Sequence, residues 1–457
     1  MSDATTGTKT GTPANADQFL DAHPDLEMFE VILADLAGGL RGKWVARDKL
    51  ATVLAGELKL PVSSVVFDSW GRDVEEWVFS RGDGDGRCVA EARTLAPVPW
   101  SERPMGQLLV SLDREDGSSN PLDPRRVLSQ LEARFRAQGL QPVVASEMEF
   151  FLLERERDDI GRPVHTQQDS LGGVLASGQT YGLEAMAEAD SFMHGVREAC
   201  ALQDLPIDTL IKESAPSQYE INLIHQPDAL LAGDQALLLK RAIRGVARSL
   251  ERLATFMAKP FGELAGSGMH LHCSVRDNDG ANVFDNGTEQ GSELLRHAIA
   301  GCLETLPDVM LLLAPTLNSY RRFRPGMHAP MAPCWGYENR TVALRVPAGE
   351  LSAMRLEHRV AGADGQPHLV IAAVLAGMLY GIERRLEPPP PLTGNAWEQL
   401  APSLPVHWND ALDRFRQSRF VAEYLGAPFQ EVYTLLKQQE LEEFARHVTP
   451  LEYDTSL

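Results

Sequence analysis

The sequence predicts an α+β protein, with a small sheet-rich N-terminal domain followed by a larger domain in which helices and strands mix. Three observations support this prediction. The chain has 457 residues, which is too long for one ordinary domain and suggests two or three. Short runs typical of strands fill residues 28–116. Long helical patterns mix with strands from about residue 124 to the C-terminus.

The N-terminal part divides into a tail and a domain. Residues 1–16 are mostly Thr, Gly, Ala, Asp and Asn, a composition that predicts a disordered tail. Residues 17–116 form the predicted sheet-rich domain, because Gly- and Asp-rich turns such as GlyAspGlyAspGly at 82–86 separate its β-like runs. The four runs predicted as strands are 29–34, 42–46, 63–67 and 106–112.

Residues 117–457 form the predicted larger domain. A helix is expected at about 124–138, after the AsnProLeuAspPro segment, and Gly139 is expected to end it. Four prolines at 388–391 interrupt the chain before a helical, charged C-terminal segment. The other long helical patterns cover 182–203, 227–258 and 291–306.

Composition and charge disfavour several classes of partner. The formal net charge is −21, and nucleic acids need a basic patch, so no nucleic-acid partner is expected. The charge mildly favours a cationic substrate, although solubility explains it more simply. The longest apolar stretch, around 370–380, is too short to cross a bilayer. Five scattered cysteines without a CxxC pair, and no signal-peptide pattern, predict a cytoplasmic protein.

Acidic and histidine side chains recur at two-residue spacing in β-like runs. Glu147 and Glu149 lie in an apolar run, so they share one face of the predicted strand. A nearby cation would remove the cost of their repulsion and desolvation. His270 and His272 repeat this spacing after two glycines. Simpler alternatives stay open here: a solvated strand face for the glutamates, and ordinary core residues for the histidines.

Two further pairs are weak signals when taken alone. Glu213 and Glu220 bracket a loop that enters a probable strand. Glu357 and Arg359 are again two residues apart, and a simple cross-strand ion pair would explain them as well.

Arginines cluster near these acids, which is unexpected in so acidic a chain. Arginine binds carboxylates and phosphates through two parallel N–H groups. Acids that can hold a metal, together with arginines, therefore suggest phosphoryl transfer. The sequence has no Gly-Lys-Ser/Thr phosphate loop and no kinase signature. The clustered residues are Arg321, Arg322, Arg324, Arg340, Arg345, Arg355 and Arg359.

Taken in order, these motifs resemble the glutamine synthetase superfamily. The run ThrPheMetAlaLysProPheGlyGluLeuAlaGlySerGlyMetHisLeuHis at 255–272 is similar to the ATP-binding signature of that family. Segments 318–322, 339–347 and 355–359 match the family in order and spacing, and so do the paired glutamates. The resemblance extends from about residue 28 to the C-terminus.

Segment 35–43, AspLeuAlaGlyGlyLeuArgGlyLys, resembles the amine-ligating branch of the superfamily, the γ-glutamylpolyamine synthetases. The resemblance implies a β-grasp-like N-terminal domain and a catalytic domain built on a curved antiparallel sheet. It also implies a homo-oligomer, a dodecamer of two hexameric rings, with active sites between neighbouring subunits.

The implied reaction joins glutamate to an amine. ATP phosphorylates the γ-carboxylate of glutamate, and a polyamine or monoamine then attacks the γ-glutamyl phosphate. An ammonia-using glutamine synthetase is the first alternative, and a non-catalytic structural relative is the second. The presence of all six implied metal ligands speaks against the second.

The resemblance also implies a role for each matching residue, with two or three Mg²⁺ or Mn²⁺ ions accompanying ATP. One ion is implied at Glu149, Glu213 and Glu220, and a second at Glu147, His270 and Glu357. The residues implied at the nucleotide are His272, Ser274, Arg340, Arg345 and Arg355. The implied glutamate-binding residues are Gly266, Arg322 and Arg359. The catalytic candidates are Arg340, Glu149, His270, His328 and Asp35.

Three positions depart from the family pattern. His328 stands where ammonia-using members carry a flap glutamate, which predicts an organic amine rather than ammonium as the good substrate. Ala265 replaces the usual Asn before GlySerGlyMetHis. GlyAsnAlaTrp, at 394–397, replaces the segment that carries a regulatory tyrosine in adenylylated members, so no such regulation is expected. Asp35 is matched to the ammonium-site aspartate of the family.

Overall fold

The computed structural model describes residues 16–166, 179–324, 326–327 and 329–457. The predicted disordered tail, apart from Ala16, lies outside the described residues, and so does His328. Two sheets organise the described chain, one built from residues before 115 and the other from residues after 139. The predicted α+β class is confirmed.

The first sheet has six strands in the order β2-β1-β6-β4-β3, and β5 also pairs with β6. Its strands are β1 (Met28–Ala34), β2 (Leu40–Ala46), β3 (Lys59–Pro61), β4 (Asp85–Ala90), β5 (Ala96–Pro97) and β6 (Met105–Arg114). The central strands β1 and β6 are parallel, and the other pairs are antiparallel. Both central strands are almost entirely buried, which gives this sheet its apolar core.

One predicted strand of this region, 63–67, is wrong. Val62–Val65 forms a 3₁₀ turn instead. Asp83 accepts two hydrogen bonds from Ser63, one from the backbone N at 3.0 Å and one from Oγ at 2.7 Å. A serine whose N–H is bound by a side chain cannot use that group in a strand ladder.

The second sheet has nine strands in the order β13-β14-β15-β12-β7-β10-β9, and β8 and β11 also pair with β7. Its strands are β7 (Leu140–Arg157), β8 (Pro163–His165), β9 (Ile207–Lys212), β10 (Gln218–Leu223), β11 (Arg252–Thr255), β12 (Met269–Asp277), β13 (Trp335–Tyr337), β14 (Leu344–Val346) and β15 (Leu356–His358). The pairs are antiparallel, as predicted, except for the parallel pair β13 and β14.

The helices of the described chain are α1 (Ala16–Ala22), α2 (Leu50–Leu54), α3 (Glu75–Arg81), α4 (Pro124–Ala137), α5 (Leu183–Ala187), α6 (Asp190–Leu202), α7 (Ala229–Ser249), α8 (Glu293–Leu313), α9 (Pro367–Arg384), α10 (Ala396–Gln399), α11 (Trp408–Gln417), α12 (Arg419–Val421), α13 (Ala427–Arg446) and α14 (Pro450–Ser456). The predicted start and end of α4 are confirmed. The Asp123 carboxylate accepts N–H groups of the first turn, and Gly139 follows the helix with a φ of 72°.

Three helix predictions have wrong boundaries. The predicted helix 291–306 corresponds to α8, which continues to Leu313. Segment 227–258 contains α7, but this helix ends at Ser249, and Glu251 turns the chain with a φ of 56°. The chain then enters β11, which pairs with β7. Segment 182–203 is divided into α5 and α6.

The apolar stretch at 370–380 lies inside α9, which is buried along nearly its whole length. Gly301 of α8 and Gly381 of α9 let the two helices approach until their backbones touch. Across the described ranges, no helix is both long enough and apolar enough to span a membrane. A domain boundary at 116/117 stays a prediction.

Candidate active site

Strand register brings the acidic side chains of the second sheet together. Strand β7 lies between β10 and β12, so that Glu149 stands opposite Glu220 and Glu147 stands opposite His270. Burial alternates along β7 and β12, with the site residues half-buried and their sequence neighbours fully buried. The predicted strands at these positions, and the two-residue spacing along each, therefore place the acids and histidines on one face.

Glu147 lies at the centre of this face. Its carboxylate is 2.8 Å from His272 Nε2 and 3.2 Å from His270 Nδ1. Arg355 Nε donates to His272 Nδ1 at 3.0 Å, so the proton of a neutral His272 ring lies on Nε2 and points at Glu147. Burial acts to raise the pKa of Glu147, but the bonds from His270 and His272 outweigh it and hold that pKa well below its usual range.

Glu357 lies on the next strand, β15, opposite His272. It is 1% exposed and accepts N–H groups from Arg345, at 2.9 Å, and from Arg359. The ion pair between Glu357 and Arg359, which the sequence left open as an alternative, is present. Burial acts to raise the pKa of Glu357, but Arg359 and the two site histidines outweigh it and lower that pKa.

Two groups contact Glu149: the backbone N–H of Gly268 and the side chain of Gln218, which the sequence motifs did not include. Gly268 N donates to the Glu149 carboxylate at 2.7 Å. Gln218 Nε2 lies 3.5 Å from the same oxygen and donates to the Gly266 carbonyl at 2.9 Å. Gln218 lies on β10 two residues before Glu220, so the spacing that revealed the acids also marks this buried amide.

Glu213 and Glu220 carry the least compensated charges of the site. Burial, followed by repulsion from Glu149, raises the pKa of Glu220 to about 9. Burial and Glu149 also raise the pKa of Glu213, to about 7. A bound cation would favour the charged form of both groups.

Two groups of three side chains place candidate ligand atoms within 4.8 Å of one another: Glu147, His272 and Glu357, and Glu147, Glu220 and His270. Carboxylate oxygens with one imidazole nitrogen suit Mg²⁺ or Mn²⁺. The residues therefore fit a divalent metal. The grouping differs from the implied one, because Glu147 belongs to both groups, His272 joins one of them, and Glu149 and Glu213 lie beside them.

Gly266 and Gly268 allow the backbone of their segment to lie close to the acid and histidine face. A Cβ on Gly266 would lie 2.6 Å from the Ala258 carbonyl oxygen and 2.9 Å from Arg322 Cγ. A Cβ on Gly268 would lie 3.1 Å from His270 Nε2. Arg322 is buried beneath this segment. Space therefore requires glycine at 266, and a side chain at 268 would press on the His270 ring.

A cavity of about 450 Å³ opens beside Glu147. His272, Ser274 and Arg355, three of the residues implied at the nucleotide, line it. Polar lining residues that the sequence did not indicate include Asp208, Asn222 and His225. Asn222 follows Glu220 at strand spacing, but no local pattern marks Asp208 or His225.

Residues 121–456 match the family model described as the glutamine synthetase catalytic domain. This chain belongs to the glutamine synthetase family. Gamma-glutamylputrescine synthetase PuuA of Escherichia coli (strain K12) is 38% identical over 442 residues, which cover 96% of this chain and 93% of PuuA. Glutamate–isopropylamine ligase of a Pseudomonas species is 31% identical over 438 residues, 93% of each chain.

The solved structure of GmaS without ligand has a TM-score of 0.82 and 25% identity, and it covers 96% of this chain and 98% of GmaS. The predicted membership of the glutamine synthetase superfamily, on its amine-ligase branch, is confirmed.

Three residues implied by the glutamine synthetase resemblance lie apart from this face or outside the described chain. Arg340 is exposed in the loop between β13 and β14. Asp35 is buried in the turn between β1 and β2, where its carboxylate accepts N–H groups from Gly39 at 2.6 Å and Arg41 at 2.7 Å. Burial raises the pKa of Asp35 to about 6. His328 is not among the described residues, so its role stays a prediction.

Proposed function

We propose that this chain is a ligase that uses ATP to join the γ-carboxylate of glutamate to an organic amine. The observation that carries the proposal is the acid and histidine face of β7, β10, β12 and β15, found in a chain 38% identical to a γ-glutamylputrescine synthetase over 96% of its length. A structural relative that had lost catalysis would have no need to keep uncompensated carboxylates such as Glu220.

The carboxylates and His270 of the face can bind divalent metal ions. We assign Glu147, Glu220, His270 and Glu357, with Glu149 and Glu213 beside them, to divalent metal ions. Such ions, when bound, neutralise charge on a transferring phosphoryl group. Bound magnesium or manganese would also remove the repulsion that raises the pKa of Glu220.

The arginines and the cavity supply the remaining contacts. We assign the 450 Å³ cavity to ATP, with His272, Ser274 and Arg355 on its wall. Arg345 and Arg340 are assigned to the phosphates, and the hydrogen bond from Arg355 keeps the His272 proton pointed at Glu147.

Gly266, Arg322 and Arg359 are assigned to glutamate. An arginine fork orients a carboxylate at two points, and orientation matters because phosphorylation requires the γ-carboxylate in line with the phosphate. Phosphorylation then turns a poor electrophile into a γ-glutamyl phosphate that an amine can attack.

The names of two similar enzymes favour an organic amine as the second substrate. PuuA and the Pseudomonas ligase are named for putrescine and isopropylamine, which are both organic amines. An alkyl chain can recover binding free energy by burying apolar surface, at roughly 25 cal/mol per Å². His328, which stands at the sequence position where ammonia-using members carry a glutamate, and Asp35 stay candidates for amine choice.

The cellular location and the assembly of the enzyme are also proposed. We propose a cytoplasmic enzyme, since all five cysteines are free and buried. We also propose a dodecamer of two hexameric rings, which the family resemblance supports and which mass photometry would test.

An amine panel tests the proposal directly. Phosphate release would be measured with ATP, glutamate, Mg²⁺ or Mn²⁺, and one amine at a time: putrescine, isopropylamine, ethanolamine or ammonium. The expected result is release that needs every component, stops in excess EDTA, and has its highest kcat/KM with an organic amine. Release without glutamate would overturn the ligase assignment, and equal kcat/KM for ammonium would favour a glutamine synthetase.

A further inference from the structure

Lys240, on α7, carries an ammonium group buried in the core. The residue is 6% exposed, and Nζ donates to the backbone carbonyls of Ala363 at 2.7 Å and Gly365 at 3.1 Å. The centroid of the Phe256 ring lies 5.1 Å from Nζ. Burial lowers the pKa of Lys240 to about 7. Both of these hydrogen bonds serve one loop, residues 360–366, which joins β15 to α9 and is called the support loop here.

The support loop holds the glycine segment of the active site from behind. Ala363 N donates to the Ser267 carbonyl at 3.0 Å, and Met269 N donates to the Ala361 carbonyl at 3.0 Å. Ser267 is fully buried between the two glycines that approach the acid face. The support loop therefore holds residues 266–268 from one side, while Glu149 and Gln218 hold them from the acid face.

The same loop also fixes Arg322. Arg322 Nη1 donates to the Val360 carbonyl at 2.9 Å. Asp364 Oδ2 accepts from Ser319 Oγ at 2.5 Å and from Thr316 Oγ1 at 2.9 Å, which ties down the short turn that carries Arg322. The support loop thus contacts both elements that we assign to glutamate.

We infer that Lys240 is a positioning residue for the glutamate subsite. Its ammonium group fixes the support loop at two carbonyls, and the loop in turn fixes Gly266 and Arg322. This inference rests on the proposed function, since it takes Gly266 and Arg322 to bind glutamate. A lysine suits the task because its long stem crosses the core from α7 while its head supplies several donors.

Loss of these donors should affect glutamate more than ATP. Without them, two buried carbonyls lose a partner, and the support loop is expected to shift by a few tenths of an ångström. The cavity residues His272 and Arg355 are held by each other and by Glu147, so the ATP side should keep its geometry.

The test is Lys240→Met, compared with Gln235→Met. The methionine keeps the length of the lysine stem and removes its donors. Gln235 is a matched control, because it lies on the same helix, is also 6% exposed, and has an Oε1 without a hydrogen-bond partner in the described chain. Michaelis constants for glutamate and for ATP would be measured for both variants with the best amine of the panel.

The expected result for Lys240→Met is a glutamate KM raised about tenfold, an ATP KM within about twofold of wild type, and a smaller fall in kcat. Gln235→Met should change neither constant by more than about twofold. Hydrogen exchange should also become faster at Met269 and Ala363 in Lys240→Met alone.

An unchanged glutamate KM, or equal rises for glutamate and ATP, would overturn the role of Lys240. If Lys240→Met does not fold, Lys240→Gln serves, because it retains an N–H donor at reduced reach. Its glutamate KM should be raised by a smaller factor, and a wild-type value would equally refute the inference. A wild-type enzyme without glutamate-dependent phosphate release would instead refute the proposed function, so the two failures are distinguishable.

Discussion

Asp234 and Glu220 are both buried carboxylates, at 0% and 6% exposed, but their surroundings are opposite in charge. Arg125 donates to Asp234 through two N–H groups, at 2.7 and 2.9 Å, and His368 Nε2 is 2.9 Å away. Burial acts to raise the pKa of Asp234, but these partners hold it well below its usual range. Glu220 faces other carboxylates, first among them Glu149, and its pKa is raised to about 9.

The comparison shows two kinds of buried carboxylate. Asp234 is neutralised by cationic side chains of the protein, whereas Glu220 needs an added cation. A buried carboxylate is costly unless an opposite charge or hydrogen bonds compensate it. Arg125 gives Asp234 such a partner, whereas burial and repulsion dominate at Glu220. The Asp234 cluster should therefore contribute to stability, and the Glu220 cluster to metal binding and catalysis. Three predictions test this contrast, and a fourth tests the nucleotide side of the acid face.

The largest effect is expected for Glu147→Gln. Glu147 belongs to both groups of candidate metal ligands, so the neutral amide should weaken both. We expect kcat/KM for phosphate release to fall by about 1,000-fold while the protein stays folded. Glu154→Gln is the matched control on the same strand, because Glu154 pairs with Arg252 at the surface. More than a tenth of the wild-type rate in Glu147→Gln would show that the site is misplaced.

Asp234→Asn should act on stability instead. It removes the buried carboxylate that Arg125 contacts through two N–H groups and leaves only the partly buried Glu91, 2.9 Å away, as its carboxylate partner, which costs about 3 kcal/mol. The free energy of unfolding would be measured by urea titration. Asp413→Asn removes one partner of an exposed pair with Arg416 and should change stability by less than about 1 kcal/mol. If both variants had the same free energy of unfolding, the buried pair would contribute no more to stability than the exposed pair, and the prediction would be wrong.

Metal removal should distinguish the two clusters directly. An ion at about 100 times its Kd stabilises a protein by about 2.7 kcal/mol. Mn²⁺ should therefore raise the Tm of the wild type, and EDTA should reverse the rise. Asp234→Asn should keep this rise, whereas Glu220→Gln should lose part of it, because Glu220 belongs to one of the two ligand groups. The same rise in both variants would contradict the assignment of Glu220 to the metal.

The smallest effect is expected for Arg355→Lys. Lysine cannot reproduce the Nε–H bond to His272 Nδ1, so the ring of His272 loses the contact that fixes its tautomer. Loss of one such bond, worth about 1 kcal/mol, should raise the KM for ATP about fivefold. The KM for glutamate is the internal control and should stay within about twofold. A fivefold rise in the KM for glutamate as well would contradict the assignment of Arg355 to the nucleotide side of the site.

Local periodicity was enough to predict which side chains share a strand face. Glu147 and Glu149 on β7, and His270 and His272 on β12, have the alternating burial that two-residue spacing predicts. The family and its amine-ligase branch also followed from the ordered motifs. Gln218 could have been found by the same spacing.

The remaining features depend on contacts between distant parts of the chain. Helix α7 is shorter than predicted because the chain after it forms β11, which pairs with β7. The predicted strand at 63–67 is absent because Ser63 donates its hydrogen bonds to Asp83. The sharing of Glu147 between two ligand groups depends on which strands become neighbours. No local pattern contains that information, and the role of each site residue stays a prediction until it is measured.

Binding of Mn²⁺ to the purified enzyme tests the central claim most directly. Electron paramagnetic resonance would count bound ions per chain in the wild type, Glu147→Gln and Glu154→Gln, without added nucleotide. We predict at least two ions per chain in the wild type and in Glu154→Gln, and fewer than one in Glu147→Gln. A wild type without bound Mn²⁺, or a Glu147→Gln variant that binds it as the wild type does, would contradict the assignment of this acid face to metal ions.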